Sequence, residues 1–232
     1  MTQQDVQLFS LSQPQQRIWY TELLYPHRNT STIIGTVKIR GTVRIEALQQ
    51  AMNRVIAQND SFRIKITAQD GIPYQYVEPF TAENIETLQV TPEEANEWLK
   101  RHNPQPFSLL DSQLYRFVIL QLGAEETWFN FKMHHIISDG VSMNQAINEI
   151  TGHYMDIVHG TGQDAPTKGN PYLEFIQVEQ SYEQSDRYQK DKTYWTEKFA
   201  DLPETTGLKS YNPLTLSTAA RRESFILKHE LY

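Results

Sequence analysis

Residues 113–135, QLYRFVILQLGAEETWFNFKMHH, contain two apolar runs on either side of a short turn at 123–126. A polar turn with a glycine between two runs rich in aromatic and β-branched residues predicts a pair of antiparallel strands. Successive side chains of a strand point to opposite faces of the sheet. The second run therefore places Phe129, Phe131, Met133 and His135 on one face, and Trp128, Asn130, Lys132 and His134 on the other. The two adjacent histidines are expected to point in opposite directions.

The rest of the chain alternates between helical and strand-like periodicity. Ser12 and Thr91 are expected to cap helices, because each precedes a proline and an apolar-periodic run. The predicted elements, in chain order, are a helix at 13–24, a strand through 38, a helix ending at 58, a hairpin turning at Asp70-Gly71, a helix within 91–103, the strand pair at 113–135, a helix at 141–159, and one or two helices within 172–203. This mixture indicates an α/β fold.

Two segments lack periodicity. Residues 160–171, GTGQDAPTKGNP, form the clearest linker signal, because Gly, Pro and Thr replace all patterning. Residues 204–222 are predicted to be an irregular loop, and the last residues, RESFILKHELY, resemble a strand. A strand at the terminus with nothing after it to pair with suggests a longer parent protein.

Composition excludes several classes of function. The chain has 21 Lys and Arg against 28 Asp and Glu, a net charge of −7, so nucleic acid and anionic membranes are unfavourable partners. With no cysteine, disulfides, zinc-thiolate sites, iron-sulfur clusters and a cysteine nucleophile are all excluded. The start MTQQDVQLFS does not resemble a secretory signal, and no apolar run is long enough to span a membrane. The sequence thus predicts a soluble, cytoplasmic protein.

The histidine pair in KMHHIISDGVS allows three interpretations: metal ligands, structural histidines, or a catalytic base. Neighbours on a strand cannot easily bind one ion, and no HExxH or other ligand spacing stands nearby, so no metal is predicted. His135 comes at a strand end, just before a loop and a helix N-terminus. An imidazole on a largely apolar face is expected to stay neutral at pH 7, which favours a base or a hydrogen-bond partner.

The loop after the histidines adds two candidate residues. Gly140 offers a backbone N–H that another molecule can approach closely, near the positive end of the following helix, where it could stabilise an oxyanion. Asp139 is interpreted in two ways, as a helix N-cap or as a buried carboxylate paired with an arginine. There is no GxSxG elbow and no phosphate loop, so covalent catalysis has no obvious nucleophile. The chemistry that remains possible is direct transfer of a group between two substrates, assisted by a histidine.

These residues resemble a known family. MHHIISDGVS carries the HHxxxDG signature of the condensation domains of nonribosomal peptide synthetases, with His134, His135, Asp139 and Gly140 in the defining places. The wider superfamily includes chloramphenicol acetyltransferase. Other family stretches occur in the expected order: SQPQQRIWY, QNDSFRIKI, PFSLLDSQLYR, YLEFIQV and YWTEKFADLP. Arg63 is kept in the second of these, although most of its neighbours depart from the family pattern.

The resemblance implies a fold and a domain organisation. The fold would be the chloramphenicol acetyltransferase-like two-layer sandwich, a mixed sheet with helices, forming one lobe of a V-shaped pair. Residues 1–168 would be the N-terminal lobe with the HHxxxDG motif. Residues 169–232 would be linker helices and the truncated beginning of the C-terminal lobe. Half of the tunnel between the lobes would then be missing, so the isolated fragment is not expected to turn over.

The resemblance also implies roles for the site residues. His135 would be the catalytic histidine, either removing a proton from the attacking amine or positioning it. Gly140 would offer its N–H near the reacting thioester. Asp139 would be structural, forming an ion pair with Arg63, and His134 would support the motif.

The reaction implied is amide formation, in which the amine of a carrier-bound aminoacyl thioester attacks an acyl thioester. No cofactor would be bound covalently, because both substrates arrive on phosphopantetheine arms of partner carrier domains or, for some donors, on coenzyme A. An adjoining adenylation domain would be a further partner.

The first motif begins about ten residues after Met1, which leaves no room upstream for a carrier domain if Met1 is the native start. A donor acting in trans and the segment RIWYTELLYPHRNTS both favour a starter domain that attaches a fatty acyl group in lipopeptide synthesis.

Three alternatives remain within the same fold. The first is an elongation domain that takes a peptidyl donor in trans. The second is an epimerisation domain, although such domains commonly carry Trp where this chain has Met143. The third is a non-catalytic domain that recruits carriers, although such domains usually have a damaged histidine motif.

Overall fold

The structure is a computed structural model that describes residues 7–25, 29–161 and 172–201. Its helices and strands in chain order are β1 (Phe9–Ser10), α1 (Gln13–Leu24), β2 (Thr32–Arg40), α2 (Ile45–Gln58), β3 (Ile64–Gln69), β4 (Ile72–Val77), β5 (Glu86–Gln89), α3 (Pro92–His102), β6 (Tyr115–Gln121), β7 (Glu126–His134), α4 (Gly140–His159), α5 (Tyr172–Glu183) and α6 (Asp186–Lys198). Short 3-10 turns at Asn29–Ser31 and Asp60–Arg63 precede β2 and β3.

Two sheets organise the described chain. One has the strand order β2-β7-β6-β5 and is mixed, because β5 pairs with β6 in parallel while the other neighbours are antiparallel. The other has the order β1-β4-β3 and is antiparallel. This confirms the predicted α/β class with a mixed sheet. The sequence does not predict strands β1 and β5, because they are only two and four residues long and have no clear alternation.

The β6-β7 pair, which the sequence predicts as two antiparallel strands, lies at the centre of the larger sheet. Phe129, Phe131 and Met133 pack into the main core, together with the apolar faces of α2 and α4. Trp128 points to the other face, where it packs with Ala95 of α3. The sheet is therefore covered by α2 and α4 on one face and by α3 on the other, and its central strand β7 leads directly to the histidine pair.

Local signals in the sequence account for most element ends. Ser12 and Thr91 each cap a helix, as predicted, and each does so through a capping box. Asp70 and Gly71 both have positive φ, 51° and 80°, which is the geometry that a two-residue hairpin turn requires. Gly160 ends α4 in the left-handed conformation, with φ of 66°.

Contacts divide the chain into two compact units, Met1–Gln184 and Ser185–Tyr232. The first unit includes α5, where Gln13 donates from its backbone to Glu179 at 3.0 Å and from its side chain to Glu183 at 2.7 Å. In the second unit the structure describes α6, which Ser185 caps. The proposed boundary after residue 168, most of the linker, the loop at 204–222 and the terminal strand all lie outside the described residues. The domain division stays a prediction.

Candidate functional site

His135 is the first residue after β7, and its backbone is fixed while its side chain is exposed. Its N–H donates to the carbonyl of Ser31 at 2.8 Å, which continues the pairing of β7 with the chain before β2. Its ring Nδ1 lies 3.2 Å from the carbonyl oxygen of Ser138. Because a carbonyl can only accept, Nδ1 carries a proton, and in the neutral ring Nε2 is then the nitrogen with the lone pair. The ring is thus held in the tautomer that can accept a proton or a hydrogen bond at Nε2.

The exposure of His135 differs from the apolar environment expected for it. The strand alternation ends one residue earlier, at His134, so His135 belongs to the loop and not to the core face of the sheet. Its availability to a substrate comes instead from its position on the surface.

His134 is the buried member of the pair. It is 3% exposed and its Nδ1 accepts a hydrogen bond from the Ile136 N–H at 3.1 Å, so its proton is on Nε2. Burial lowers the pKa of His134 to about 4, and the nearby charge of His135 acts in the same direction. Although Nε2 lies 3.8 Å from Oε1 of Glu22, His134 is neutral at pH 7 and the contact is not an ion pair. His134 is therefore a structural residue that holds the following loop.

Asp139 caps α4. Its Oδ1 accepts from both the backbone N–H and the hydroxyl of Ser142, each at 2.7 Å. The bond from the Ser142 N–H, followed by that from the Ser142 hydroxyl, lowers the pKa of the Asp139 carboxyl. Of the two interpretations drawn from the sequence, the structure adopts the helix N-cap.

The ion pair between Asp139 and Arg63 that the resemblance implies is wrong for the described residues. Arg63 pairs with Asp60, three residues before it in the same 3-10 turn, and its Nη1 donates to the carbonyl of Glu78 at 2.7 Å. Asp139 is exposed and already engaged by Ser142. A local partner for each charge makes a longer-range pair unnecessary, and Arg63 is not part of the histidine loop.

Replacing Asp139 with alanine should lower the free energy of unfolding by about 1 kcal/mol, the ordinary value of an exposed N-cap. The pKa of Asp139 is lower in the folded than in the unfolded chain, so its contribution is fully present above the unfolded pKa and is lost as pH falls through the folded pKa. Urea unfolding should therefore reveal the difference at pH 7 and show it shrinking below about pH 4.

Asp139→Asn is the matched control, because it keeps the capping oxygen and should unfold within a few tenths of a kcal/mol of the wild type at pH 7. A loss of about 3–5 kcal/mol in Asp139→Ala would instead reveal a buried ion pair and contradict the assignment as a cap.

Gly140 is the first residue of α4 and is exposed. A Cβ built on Gly140 would meet no atom of the described residues within 4 Å, so these residues leave open space around it. Its N–H belongs to the first turn of the helix, whose N–H groups have no carbonyl one turn earlier to bind and carry a partial positive charge. His135 and Asp139 thus lie in the loop between β7 and α4, Gly140 lies at the start of α4 directly after it, and Arg63 lies in another part of the fold. Among the described residues no group of three His, Asp or Glu side chains could hold a metal ion.

A cavity of about 330 Å³ lies beside the first turns of α4. Its apolar walls come from Phe62, Met133 and Phe175. Glu149, also in its wall, accepts from the side-chain amides of Asn59 and Gln145, each at 2.9 Å. Ser142, which binds the capping Asp139, is one of the residues that line the cavity, so the cavity opens near the histidine loop. His135 is not among the described residues that line it.

Residues 5–232 match the family model described as the condensation domain, and the chain belongs to this family. It is 31% identical over 213 residues to surfactin synthase subunit 1 of Bacillus subtilis (strain 168), covering 88% of this chain and 6% of that protein. It is 31% identical over 236 residues to a plipastatin synthase of the same organism, covering 96% of this chain and 9% of that protein. The chain therefore spans less than a tenth of these relatives.

Solved structures match the fold. The starter condensation domain of the rhizomide synthetase RzmA superposes with a TM-score of 0.75 at 21% identity, over 83% of this chain and 48% of that chain. The first condensation domain of the CDA synthetase superposes with a TM-score of 0.71 at 21% identity, over 85% and 52%. The predicted fold is confirmed, and the chain spans about half of these solved chains.

In the described residues no helix has both the length and the apolar character needed to cross a bilayer.

Proposed function

We propose that this protein forms amide bonds, with His135 acting on the amine that attacks an acyl thioester. The observation that carries the proposal is the geometry of the His135 ring: its Nδ1–H donates to the Ser138 carbonyl, the ring is exposed, and no residue in the described part of the chain is hydrogen-bonded to its Nε2. A neutral imidazole with a free ring nitrogen can accept a proton or a hydrogen bond from an approaching amine.

The chemistry follows from the loop. The amine nitrogen bonds to the thioester carbonyl carbon while its proton passes to or is held by Nε2 of His135. The carbonyl oxygen becomes an oxyanion, for which the Gly140 N–H at the start of α4 is the proposed donor. The carbon–sulfur bond then breaks, and the thiolate leaves with the proton. The pKa of the Asp139 carboxyl is lowered mainly by its Ser142 hydrogen bonds, so Asp139 stays ionised and keeps its capping contact beside the His135 ring during the reaction.

The proposed substrates are thioesters. The amine would arrive as an aminoacyl thioester on the phosphopantetheine arm of a carrier domain, with an adenylation domain loading that carrier. For the donor we propose a fatty acyl group, as in a starter domain. A solved starter condensation domain in complex with C8-CoA and Leu-SNAC has the same fold as this chain, with a TM-score of 0.79 at 22% identity, and supports this choice.

The test uses the protein in its complete natural form. It is incubated with octanoyl-CoA and, in separate reactions, with each of a panel of aminoacyl N-acetylcysteamine thioesters, and the product is weighed by mass spectrometry. We expect an octanoyl amide of at least one amino acid. A parallel reaction replaces octanoyl-CoA with a peptidyl thioester on a carrier domain. Product from the peptidyl donor alone would overturn the starter assignment in favour of elongation, and no amide from either donor would contradict the proposed activity.

A further inference from the structure

A buried pair of glutamine side chains lies behind the histidine loop. Gln15 of α1 and Gln75 of β4 bind each other through their amide groups: Gln15 Nε2 donates to Gln75 Oε1 at 2.9 Å, and Gln75 Nε2 donates to Gln15 Oε1 at 2.8 Å. The two residues are 3% and 0% exposed. The reciprocal bonds fix the orientation of both amides, because the oxygen can only accept and the nitrogen can only donate.

The outer contacts of the pair are with backbone. Gln15 Oε1 also accepts from the Ser12 N–H at 2.9 Å, and Gln75 Nε2 also donates to the Ser10 carbonyl at 2.8 Å. The remaining contact is the one that concerns the site: Gln15 Nε2 donates to the carbonyl of Ile136 at 3.1 Å. The pair therefore joins α1 and β4 to the residue that follows His135.

The peptide of Ile136 is held on both of its sides. Its N–H donates to Nδ1 of His134 at 3.1 Å, and its carbonyl accepts from Gln15. The Ile137 N–H donates to the His134 carbonyl at 3.1 Å, and the loop then brings the Ser138 carbonyl against the ring of His135. A shift of the Ile136 peptide would therefore move the carbonyl that fixes the tautomer and direction of the His135 ring.

We propose that Gln15 and Gln75 act as one unit that positions His135 for the transfer step. In the described part of the chain Gln75 makes no side-chain hydrogen bond to the loop, so its proposed effect on the loop passes through Gln15. The proposal rests on the proposed function, because positioning matters only if His135 takes part in the reaction. The competing interpretation is that a satisfied buried amide pair merely stabilises the fold, and it predicts a loss of stability without a loss of rate.

The variants are Gln15→Met, Gln75→Met and the double replacement, made in the complete natural protein and assayed under conditions where circular dichroism shows each to be folded. Methionine keeps the length of the side chain and removes its hydrogen bonds. We expect each single variant to lower kcat by about tenfold, with KM within about twofold of the wild type, since a small displacement of a catalytic group is costly. The double variant should be about as slow as Gln15→Met, because residues that act as a unit are not additive.

The matched control is Asn130→Leu. Asn130 is a buried amide on β7 that donates to the Gly35 carbonyl at 3.0 Å and to the Thr36 hydroxyl at 3.1 Å, away from the loop. This variant should unfold more easily than the wild type and keep its kcat. A comparable loss of kcat in Asn130→Leu would overturn the proposal, because general destabilisation would then explain the rate.

Hydrogen–deuterium exchange of peptides covering 133–140, measured by mass spectrometry, needs no acyl donor. Exchange of this segment should be faster in all three methionine variants than in the wild type and in Asn130→Leu. The measurement distinguishes two failures. If the proposed activity is wrong, the wild type makes no amide but exchange at 133–140 is still faster in the methionine variants. If the positioning is wrong, exchange at 133–140 is the same in the methionine variants as in the wild type.

Should the methionine variants not fold, Gln75→Glu supplies a second test with nearly the same shape. It keeps an acceptor for Gln15 Nε2 and, when ionised, loses both donor contacts. We expect a fall in kcat that is smaller than in the methionine variants, and exchange at 133–140 that is faster than in the wild type. Folded variants with wild-type kcat and wild-type exchange at 133–140 would overturn the proposal.

Discussion

Replacing His135 with alanine in the complete protein should reduce amide formation by about 100- to 10,000-fold, the range that a general base commonly contributes. The free energy of unfolding should change by less than about 0.5 kcal/mol, because the side chain is exposed and its ring makes one hydrogen bond, to the Ser138 carbonyl, among the described residues. Rate is measured by mass spectrometry of the amide product, and stability by urea unfolding.

His159→Ala is the matched control for this experiment. His159 is an exposed histidine in the last turn of α4, with its Nδ1 2.9 Å from the Met155 carbonyl, so it shares the residue type, the exposure and the kind of ring contact. It should leave the rate unchanged. Product formation by His135→Ala at the wild-type rate would contradict the role assigned to His135.

A second substitution at the same position separates the two roles open to the ring. The amide oxygen of His135→Gln can accept a hydrogen bond from an amine but cannot take its proton at neutral pH. If Nε2 only orients the amine, this variant should be faster than His135→Ala by at least about tenfold. If Nε2 takes the proton, the two variants should be equally slow.

The second large effect is expected at Gly35 of β2. Gly35 lies opposite Phe131 of β7, and a Cβ on Gly35 would come within 2.1 Å of the end of the Phe131 ring. Phe131 is 5% exposed and packs against Phe129, so the ring has little room to move away. Gly35→Ala should therefore lower the free energy of unfolding by about 1–3 kcal/mol through overpacking, as measured by urea unfolding.

Gly152→Ala makes the same chemical change with the opposite expected sign. Gly152 lies inside α4, and a Cβ there would meet no atom within 4 Å in the part of the chain that the structure describes. Alanine is favoured over glycine in a helix interior by about 1 kcal/mol, so this variant should be more stable than the wild type. If Gly35→Ala were as stable as the wild type, the close packing of the Phe131 ring over β2 would be contradicted.

The neutrality of His134 also bears on how the site responds to pH. Its pKa of about 4 lies below that of a solvated histidine, so the buried ring stays uncharged through the neutral range and keeps Nδ1 available to the Ile136 N–H. For such a group the folded state is stabilised above the unfolded pKa and loses this stabilisation as pH falls toward the folded pKa. The loop that carries His135 is therefore expected to be intact at neutral pH and to weaken in acid.

The amino-acid sequence by itself determines the local features of this protein. The alternation along 126–134 separates the core side chains of β7 from those that face α3, the Asp70-Gly71 pair sets the hairpin, and the capping residues set the helix starts, because each depends on neighbours close in the chain. The HHxxxDG motif and the other family stretches likewise indicate the family, because each is a short segment that can be read along the chain.

Only the tertiary structure decides which distant groups meet. Asp60 and not Asp139 is the partner of Arg63, the Ser138 carbonyl selects the tautomer of His135, and Gln15 meets Gln75 from 60 positions away. No periodicity in the sequence encodes such contacts, because a hydrogen bond depends on where the backbone places donor and acceptor after α1, β4 and β7 have packed together.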